Sequence, residues 1–310
     1  MRTIIILLLI GLSACNSAEK QPKERNEEQS TTLQTFPIPE IPVMYTTEEL
    51  RREFLTLHFW DAYDFADTTL VGNLNITEQG LANYLSLLMD NSVTSETLQQ
   101  SLNNFCRSME KSETARKKFM NWMDSYLYDP NSPMYNEKVY ICYLQTMQDS
   151  PVLTDAHKES LRFKADLIGR NSVGEKATSF SYTLADGRRG SLYRTPVHNR
   201  LLLLFYDPEC PHCQEIMQQI VGDNELSEQI RQKKVSVLAI YTEGNHEVWR
   251  DNLPKMPEEW IVGTDQEQIK TEALYDLKAM PVLYLLDKDM NVLLKDASYP
   301  IIRNYLKGNN

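Results

Sequence analysis

The stretch RLLLLFYDPECPHCQEI, residues 200–216, decides the fold. It opens with a continuous apolar run, which is typical of a strand buried on both faces of a sheet. Two cysteines, Cys210 and Cys213, follow with two residues between them, and a helical pattern runs from Gln214 to Val221. The cysteines therefore lie where a buried strand ends and a helix begins. In α/β proteins, ligands and reacting groups gather at this edge of the sheet.

Strand and helix patterns alternate on both sides of this stretch. Upstream, Asp186-Gly187 marks the turn of a hairpin. Downstream, VSVLAIYT and EEWIVGT are apolar strand candidates, and PVLYLLDKDMNVLLKD consists of two apolar stretches around a polar turn, as in an antiparallel hairpin. Helical segments separate the strands. The alternation predicts an α/β domain over residues 170–310, with a mostly parallel central sheet and helices on both faces.

Residues 46–169 show a different pattern, in which apolar residues recur every three or four positions. Six segments have this helical period, and short polar or proline-containing breaks separate them. In the first segment, Leu50, Phe54 and Leu57 recur at this spacing. The region has no repeat of constant length and no catalytic motif. We therefore predict an all-α domain, built as a small antiparallel array of helices.

The chain begins with Met1-Arg2 and a short apolar run, TIIILLLIGL. A membrane-spanning helix needs about 20 apolar residues, whereas this run has the length of the apolar core of a secretory signal. The run ends in LSAC, which resembles the bacterial lipobox, where cleavage before the cysteine is followed by its lipidation. We predict a lipoprotein signal peptide over residues 1–14, lipidation at Cys15, and a tether with an extended lead-in over residues 15–45. The alternative is an ordinary signal peptide that precedes a cysteine.

Export would place the cysteine pair outside the cytoplasm, where disulfides persist. We therefore predict a location in the cell envelope, with the protein anchored to the membrane through lipid on Cys15 and facing the periplasm or the outer surface. The formal net charge of −11 disfavours nucleic acid, because phosphates attract basic surfaces. We expect no nucleic-acid partner and no cofactor.

The spacing of Cys210 and Cys213 fits a metal site, a structural disulfide or a redox pair. A structural zinc site usually has four ligands, yet the sequence has no second CxxC and no HxxxH. A c-type haem site needs histidine directly after the second cysteine, whereas Gln214 stands there. A structural bridge over so short a loop would constrain the unfolded chain little. We therefore favour a redox pair and expect no metal.

A redox pair makes use of each neighbouring residue. Cys210 would stand at the first turn of the helix, whose free N–H groups and dipole favour an anion, and the thiolate is the form that attacks a disulfide. Pro211 has the fixed φ that suits a first helical turn. Cys213 follows within reach of a mixed disulfide on Cys210. The positive charge of His212 would favour the thiolate, whereas the carboxylate of Glu209 would disfavour it.

Met280-Pro281 stands at the start of a later strand. With this dipeptide and the CxxC after an apolar strand, residues 170–310 resemble the thioredoxin superfamily, most closely the TlpA/ResA-like branch. The matching segments are GEKATSFSYTLADG, LLLLFYDPECPHC and MPVLYLLDKDMNVL. The resemblance implies that Cys210 is the nucleophile and Cys213 the resolving thiol. It also implies that Met280 and Pro281 form a loop that holds a substrate segment, with the Met280 backbone pairing to it like an added strand. The whole layout is similar to bacterial thioredoxin-like lipoproteins with an uncharacterised helical N-terminal domain.

The sequence departs from this family at two positions. Thioredoxin has a buried aspartate six residues before its first cysteine, whereas Leu204 stands here, so Glu209, Asp207 or water would have to carry the proton of the resolving cysteine. The family commonly has tryptophan directly before the CxxC, and Glu209 replaces it. The Pro211-His212 dipeptide matches a strongly oxidising periplasmic member, whereas the TlpA/ResA-like branch usually reduces. The direction of electron flow therefore stays open.

The resemblance implies a membrane-anchored thiol–disulfide oxidoreductase whose partners are protein thiols and disulfides and a redox partner in the envelope. One alternative is a binding or scaffold lipoprotein whose helical domain captures a partner. Another is a thiol peroxidase, although related peroxidases have threonine three residues before the reactive cysteine, where this chain has Asp207. The remaining cysteines, Cys106 and Cys142, are predicted to face the helical core, either as free thiols or as a disulfide.

Overall fold

The computed structural model describes residues 35–308. The predicted signal peptide, the predicted lipidation site Cys15 and residues 15–34 of the predicted tether lie outside the described residues. From Phe36 onward the chain forms one compact unit. Nowhere in the described range is a helix long enough and apolar enough to cross a membrane.

The N-terminal part of the described chain is helical, as predicted. Threonine side chains cap several of its helices: Thr94 accepts the backbone N–H of Thr97, and Thr154 accepts that of His157. The five-residue α2 was not predicted, because it is too short to show a helical period. The helices are α1 Glu48–His58, α2 Thr68–Gly72, α3 Leu74–Leu88, α4 Ser95–Met109, α5 Glu113–Leu127, α6 Glu137–Gln148 and α7 Asp155–Gly169.

An aromatic cluster forms the core of this helical part. The ring of Trp60 lies 5.2 Å from that of Phe105 and 5.3 Å from that of Phe119, and all three are buried. The extended lead-in contributes Phe36, whose ring packs against α3 where Gly80 leaves room. A Cβ on Gly80 would come within 2.2 Å of that ring.

The apolar side chains that recur along α1 are not its most buried ones. Leu50 is 42% exposed, and Phe54 and Leu57 are only partly buried, whereas Thr56 is buried. The reason is the direction from which α4 packs: the hydroxyl of Ser101 donates to the Thr56 carbonyl. On the apolar face, Tyr45 of the lead-in packs against Phe54, with 4.9 Å between the ring centroids.

A seven-stranded sheet follows, with strand order β2-β1-β5-β4-β3-β6-β7. Only β3–β4 and β4–β5 are parallel; the other four neighbouring pairs are antiparallel. The predicted mostly parallel sheet is therefore wrong, and the sheet is mixed. Hairpins stand at both edges, and strands joined by a tight turn must run antiparallel. The strands are β1 Ser181–Leu184, β2 Arg189–Ser191, β3 Arg200–Tyr206, β4 Val235–Tyr241, β5 Ile261–Thr264, β6 Val282–Asp287 and β7 Val292–Leu294.

Strand β3 lies inside the sheet, between β4 and β6. Its residues from Leu201 to Tyr206 are all buried, and alternate side chains enter two apolar clusters. Helices cover the sheet, so the predicted α/β architecture after an all-α part is confirmed. The C-terminal helix α12 was not predicted. The helices of this part are α8 Pro211–Val221, α9 Asn224–Arg231, α10 His246–Asn252, α11 Gln268–Thr271 and α12 Tyr299–Gly308.

Candidate active site

The two cysteines lie at the junction of β3 and α8. Strand β3 ends at Tyr206, and the backbone N–H of Cys210 donates to the Asp207 carbonyl across the tight turn that follows, with 3.2 Å between nitrogen and oxygen. Cys210 is the N-cap of α8 and Pro211 its first residue. Proline fits there because the first helical N–H has no partner within the helix. The strand-to-helix setting therefore holds Cys210 at the positive end of a helix.

The two sulfurs are in different surroundings. The Sγ of Cys210 accepts the backbone N–H of Cys213, with 3.4 Å between nitrogen and sulfur, and Cys210 is partly exposed. Cys213 is only 1% exposed, and its Sγ accepts the backbone N–H of Asp207 at 3.5 Å. Both cysteines are free thiols. The pair thus consists of an accessible sulfur and a buried one.

Burial raises the pKa of the Cys213 thiol to about 12. The N–H of Asp207 opposes this shift, and the Cys210 thiol adds to it. Because the thiolate is the nucleophile, Cys213 is unreactive at neutral pH until its proton is removed. Cys210, which reaches solvent and accepts an N–H bond, is the sulfur placed to react first.

His212 and Glu209 both lie on the surface beside the pair. The Nδ1 of His212 is 3.8 Å from a carboxylate oxygen of Glu215, so the imidazole faces that side chain. The backbone N–H of Glu209 donates to Asp207 Oδ1 at 2.9 Å. Because both side chains are exposed, water screens their charges, and we expect each to affect the sulfurs only weakly.

Met280 and Pro281 come to the same place. The Met280–Pro281 peptide bond is cis, and the Met280 carbonyl oxygen lies 3.8 Å from the Sγ of Cys210. Strand β6 begins at Val282, which is opposite Phe205 on β3. The antiparallel pairing of β3 and β6 therefore brings this loop beside Cys210, from a point 70 positions further along the chain.

A groove of about 530 Å³ lies along α8, and Cys213 is among its lining residues. Sequence reasoning missed it, because its second wall comes from the segment after α10, which has no motif. Leu204 is fully buried and belongs to the same apolar cluster as Cys213. The groove is lined by Tyr206, Asp207, Pro208, Cys213, Gln214, Met217, Gln218, Val221, Gly222, Asn252, Lys255 and Met256.

The other two cysteines of the described chain are free thiols in the helical part. Cys106 is buried, which raises the pKa of its thiol. Cys142 is partly buried, and its Sγ lies 3.2 Å from Gln99 Oε1. Across residues 35–308, no three histidine, cysteine, aspartate or glutamate side chains are grouped as metal ligands.

Two family matches together cover most of the chain. Residues 195–297 match the family described as "Thioredoxin-like domain", which with the mixed sheet and the Cys210–Cys213 pair defines the C-terminal part as thioredoxin-like. The predicted thioredoxin-like fold is therefore confirmed. Residues 14–171 match "Domain of unknown function (DUF5106)". The chain belongs to the DUF5106 family, with a thioredoxin-like domain after the helical part.

Solved structures include a match to nearly the whole chain. A thioredoxin-like protein from Bacteroides caccae ATCC 43185 is 40% identical, with a TM-score of 0.78, covering 90% of this chain and 100% of that one. The C-terminal domain of an uncharacterized protein from Bacteroides fragilis NCTC 9343 is 38% identical, with a TM-score of 0.43, over 44% and 98% of the two chains. A thiol-disulfide oxidoreductase from the same strain is 22% identical, with a TM-score of 0.38, over 43% and 98%. No curated protein matched this chain.

Proposed function

We propose that the protein is a membrane-anchored thiol–disulfide oxidoreductase of the cell envelope, which exchanges disulfides with protein substrates through Cys210 and Cys213. The observation that carries the proposal is the pairing of two unequal sulfurs. The Sγ of Cys210 is partly exposed at the N-cap of α8 and accepts the backbone N–H of Cys213 at 3.4 Å, whereas Cys213 itself is buried. Two thiols in such unequal surroundings can act in sequence, one as attacking group and one as resolving group.

In the first step, the Cys210 thiolate attacks one sulfur of a substrate disulfide. A Cys210–substrate bond forms, the substrate disulfide breaks, and the departing sulfur leaves as a thiolate that takes a proton from water. The Met280 backbone beside Cys210 can hold the extended substrate segment by pairing with it as an added strand.

In the second step, Cys213 attacks the sulfur of Cys210 and releases the other substrate thiol. The Cys213 proton must leave first, and Asp207 is the group best placed to take it: its backbone N–H already contacts the sulfur, and Asp207 lines the groove that reaches Cys213. Glu209 is exposed and is a weaker candidate. Overall the substrate disulfide gains two electrons and two protons while Cys210 and Cys213 become a disulfide; oxidation of a substrate dithiol is the reverse. A thiol–disulfide partner in the envelope would reset the pair.

The membrane anchor rests on the LSAC sequence alone. If Cys15 is lipidated, the full-length protein will sediment with membranes and take up labelled fatty acid. Cys15→Ala will abolish the uptake of labelled fatty acid. A wild-type protein that takes up no labelled fatty acid would contradict the anchor without affecting the redox proposal.

The redox proposal is tested by measuring insulin reduction and the oxidation of a dithiol peptide with purified protein. Cys210→Ser is expected to abolish both, because the accessible sulfur is lost and the remaining one, on Cys213, is buried with a raised pKa. Cys142→Ser is the matched control, since it removes a thiol that lies in the helical part. Equal rates for the wild type and Cys210→Ser in both assays would refute the proposal.

A further inference from the structure

The loop beside the reactive sulfur, residues 276–281 and here called the Met280 loop, is held from the helical part. At its base, the side chain of Lys278 is only 6% exposed, although it carries a charge. Its Nζ lies 2.8 Å from the hydroxyl of Tyr135 and 3.3 Å from a carboxylate oxygen of Glu137. Tyr135 precedes α6, and Glu137 is the first residue of that helix. Two of the partners of this buried ammonium therefore come from the helical part.

Carboxylates of the thioredoxin-like part complete the cluster. Lys278 Nζ lies 3.2 Å from Asp276 and 3.1 Å from Asp296. A third residue of the helical part contacts one of them: the hydroxyl of Tyr128 donates to Asp276 Oδ1 at 2.9 Å. The Lys278 ammonium also faces the rings of Tyr128 and Tyr135, 5.2 and 5.0 Å from their centroids. Burial alone would lower the pKa of Lys278, but Asp296 and Asp276 raise it, so the side chain stays charged.

Further contacts continue along the same segment. Lys295, after β7, lies 2.8 Å from Glu137 Oε2, so one helical glutamate contacts both buried lysines. Just before the loop, the side-chain amide of Asn171 donates to the Leu274 carbonyl at 2.9 Å, and Arg170 donates to the carbonyl of Ala273. The residues that contact the Met280 loop and its flanking segments therefore lie in the helical part and in the segment directly after α7.

A buried charge is costly unless all its partners are in place, which makes such a cluster sensitive to geometry. Lys278 precedes Met280 by two residues, so the partners of Lys278 set the course of the backbone that reaches Cys210. We propose that the helical part serves as the support of the Met280 loop, with Lys278, Tyr128, Tyr135 and Glu137 acting as positioning residues for substrate binding. This inference rests on the proposed function and gives the helical part a role in it.

The test compares the double variant Tyr128→Phe/Tyr135→Phe with Tyr126→Phe in the full chain. The double variant removes two hydroxyl groups that hold the cluster and keeps both rings. Tyr126 is the matched control, because its hydroxyl also donates to a carboxylate, Glu78, at 2.6 Å, but entirely within the helical part. Two readouts are needed: hydrogen exchange of the amides in the Met280 loop, and kinetics with a short fluorescent peptide that contains one disulfide.

We expect faster exchange in the loop and a KM for the peptide that rises about threefold to tenfold, with kcat nearly unchanged. The reaction of Cys210 with a small aromatic disulfide, which needs no backbone pairing, should stay at the wild-type rate. Tyr126→Phe should match the wild type in every measurement.

The proposal is overturned if loop exchange and KM in the double variant equal those of Tyr126→Phe. An equal loss of rate with the peptide and with the small disulfide would also overturn it, because the variant would then have changed the reactivity of Cys210 and not the binding of the substrate backbone. A wild-type protein inactive on the peptide would overturn the proposed function together with this inference. Unchanged loop exchange with an active wild type overturns the inference alone.

Discussion

The backbone N–H of Asp207 contacts the buried Sγ of Cys213, with 3.5 Å between nitrogen and sulfur. Asp207 and Cys213 also line the same groove along α8. Leu204 is buried in the same apolar cluster as Cys213, and the backbone N–H that contacts the Cys213 sulfur belongs to the turn after β3.

Asp207→Asn is expected to slow the resolution of the mixed disulfide by roughly tenfold or more, because it removes the carboxylate and keeps the backbone N–H. The lifetime of a Cys210–peptide mixed disulfide, measured by rapid quenching, checks this. Glu209→Gln removes the neighbouring exposed carboxylate and serves as the control. A lifetime in Asp207→Asn that is equal to or shorter than that in Glu209→Gln would contradict the assignment.

The two sulfurs should differ in alkylation. In Cys213→Ser, iodoacetamide should label Cys210 readily near neutral pH. In Cys210→Ser, labelling of Cys213 should be slow and should increase steeply with pH, because burial holds its pKa near 12 and only the thiolate reacts. Intact mass measured over a pH series gives both rates. Similar rates near neutral pH would show that Cys213 is not the protonated, buried thiol described here.

Cys213→Ser should also accumulate mixed disulfides with envelope proteins, since the attacking sulfur remains and the resolving one is gone. Non-reducing electrophoresis of an envelope extract should show adducts that disappear with dithiothreitol. The double variant Cys210→Ser/Cys213→Ser provides the baseline. Adducts of equal abundance in the two variants would mean that Cys210 does not form them.

His212→Ala is expected to shift the reduction potential of the pair by less than about 30 mV. The imidazole is exposed and faces Glu215 at 3.8 Å, so solvent screens its charge. Equilibration of each protein with a glutathione buffer gives the potential. A shift of about 60 mV or more would indicate that His212 acts on the thiolate directly. The wild-type value would place the protein near a reductant, about −270 mV, or near an oxidant, about −120 mV.

Phe119→Ala should lower the free energy of unfolding by about 3–5 kcal/mol, because Phe119 is fully buried in the aromatic cluster of the helical part. Phe163→Ala is the matched control: this ring is 53% exposed, so its loss should change stability by no more than about 0.5 kcal/mol. Urea denaturation of the two variants measures the difference. A Phe119→Ala protein as stable as the control would contradict the described core.

Local patterns predicted the elements around the site well. The apolar run before Asp207 is β3, the Asp186-Gly187 turn joins β1 and β2, and Pro211 is the first residue of α8. Each of these signals lies within a few residues of the structure that it specifies. The direction of strand pairing was predicted wrongly. A buried apolar strand such as β6 has the same sequence pattern in a parallel pair and in an antiparallel pair.

The support of the loop could not be predicted, for a related reason. Lys278 and Tyr135 are 143 positions apart, and neither belongs to a motif. In the sequence, Lys278 is one of many charged residues, and its burial depends on how α6 packs against the loop. The same holds for the groove beside Cys213, whose walls meet only after the sheet has formed.

The contacts that Glu137 makes with two lysines limit how the two parts can be recombined between related proteins. This single helical carboxylate faces Lys278 and Lys295, both nearly excluded from water. A chimaera that joins this thioredoxin-like part to a foreign helical region lacking such a carboxylate would leave two buried ammonium groups short of a partner. The charges of the two parts are therefore complementary where they meet. A chimaera of two related proteins should fold stably only when it keeps a carboxylate at position 137 together with lysines at positions 278 and 295.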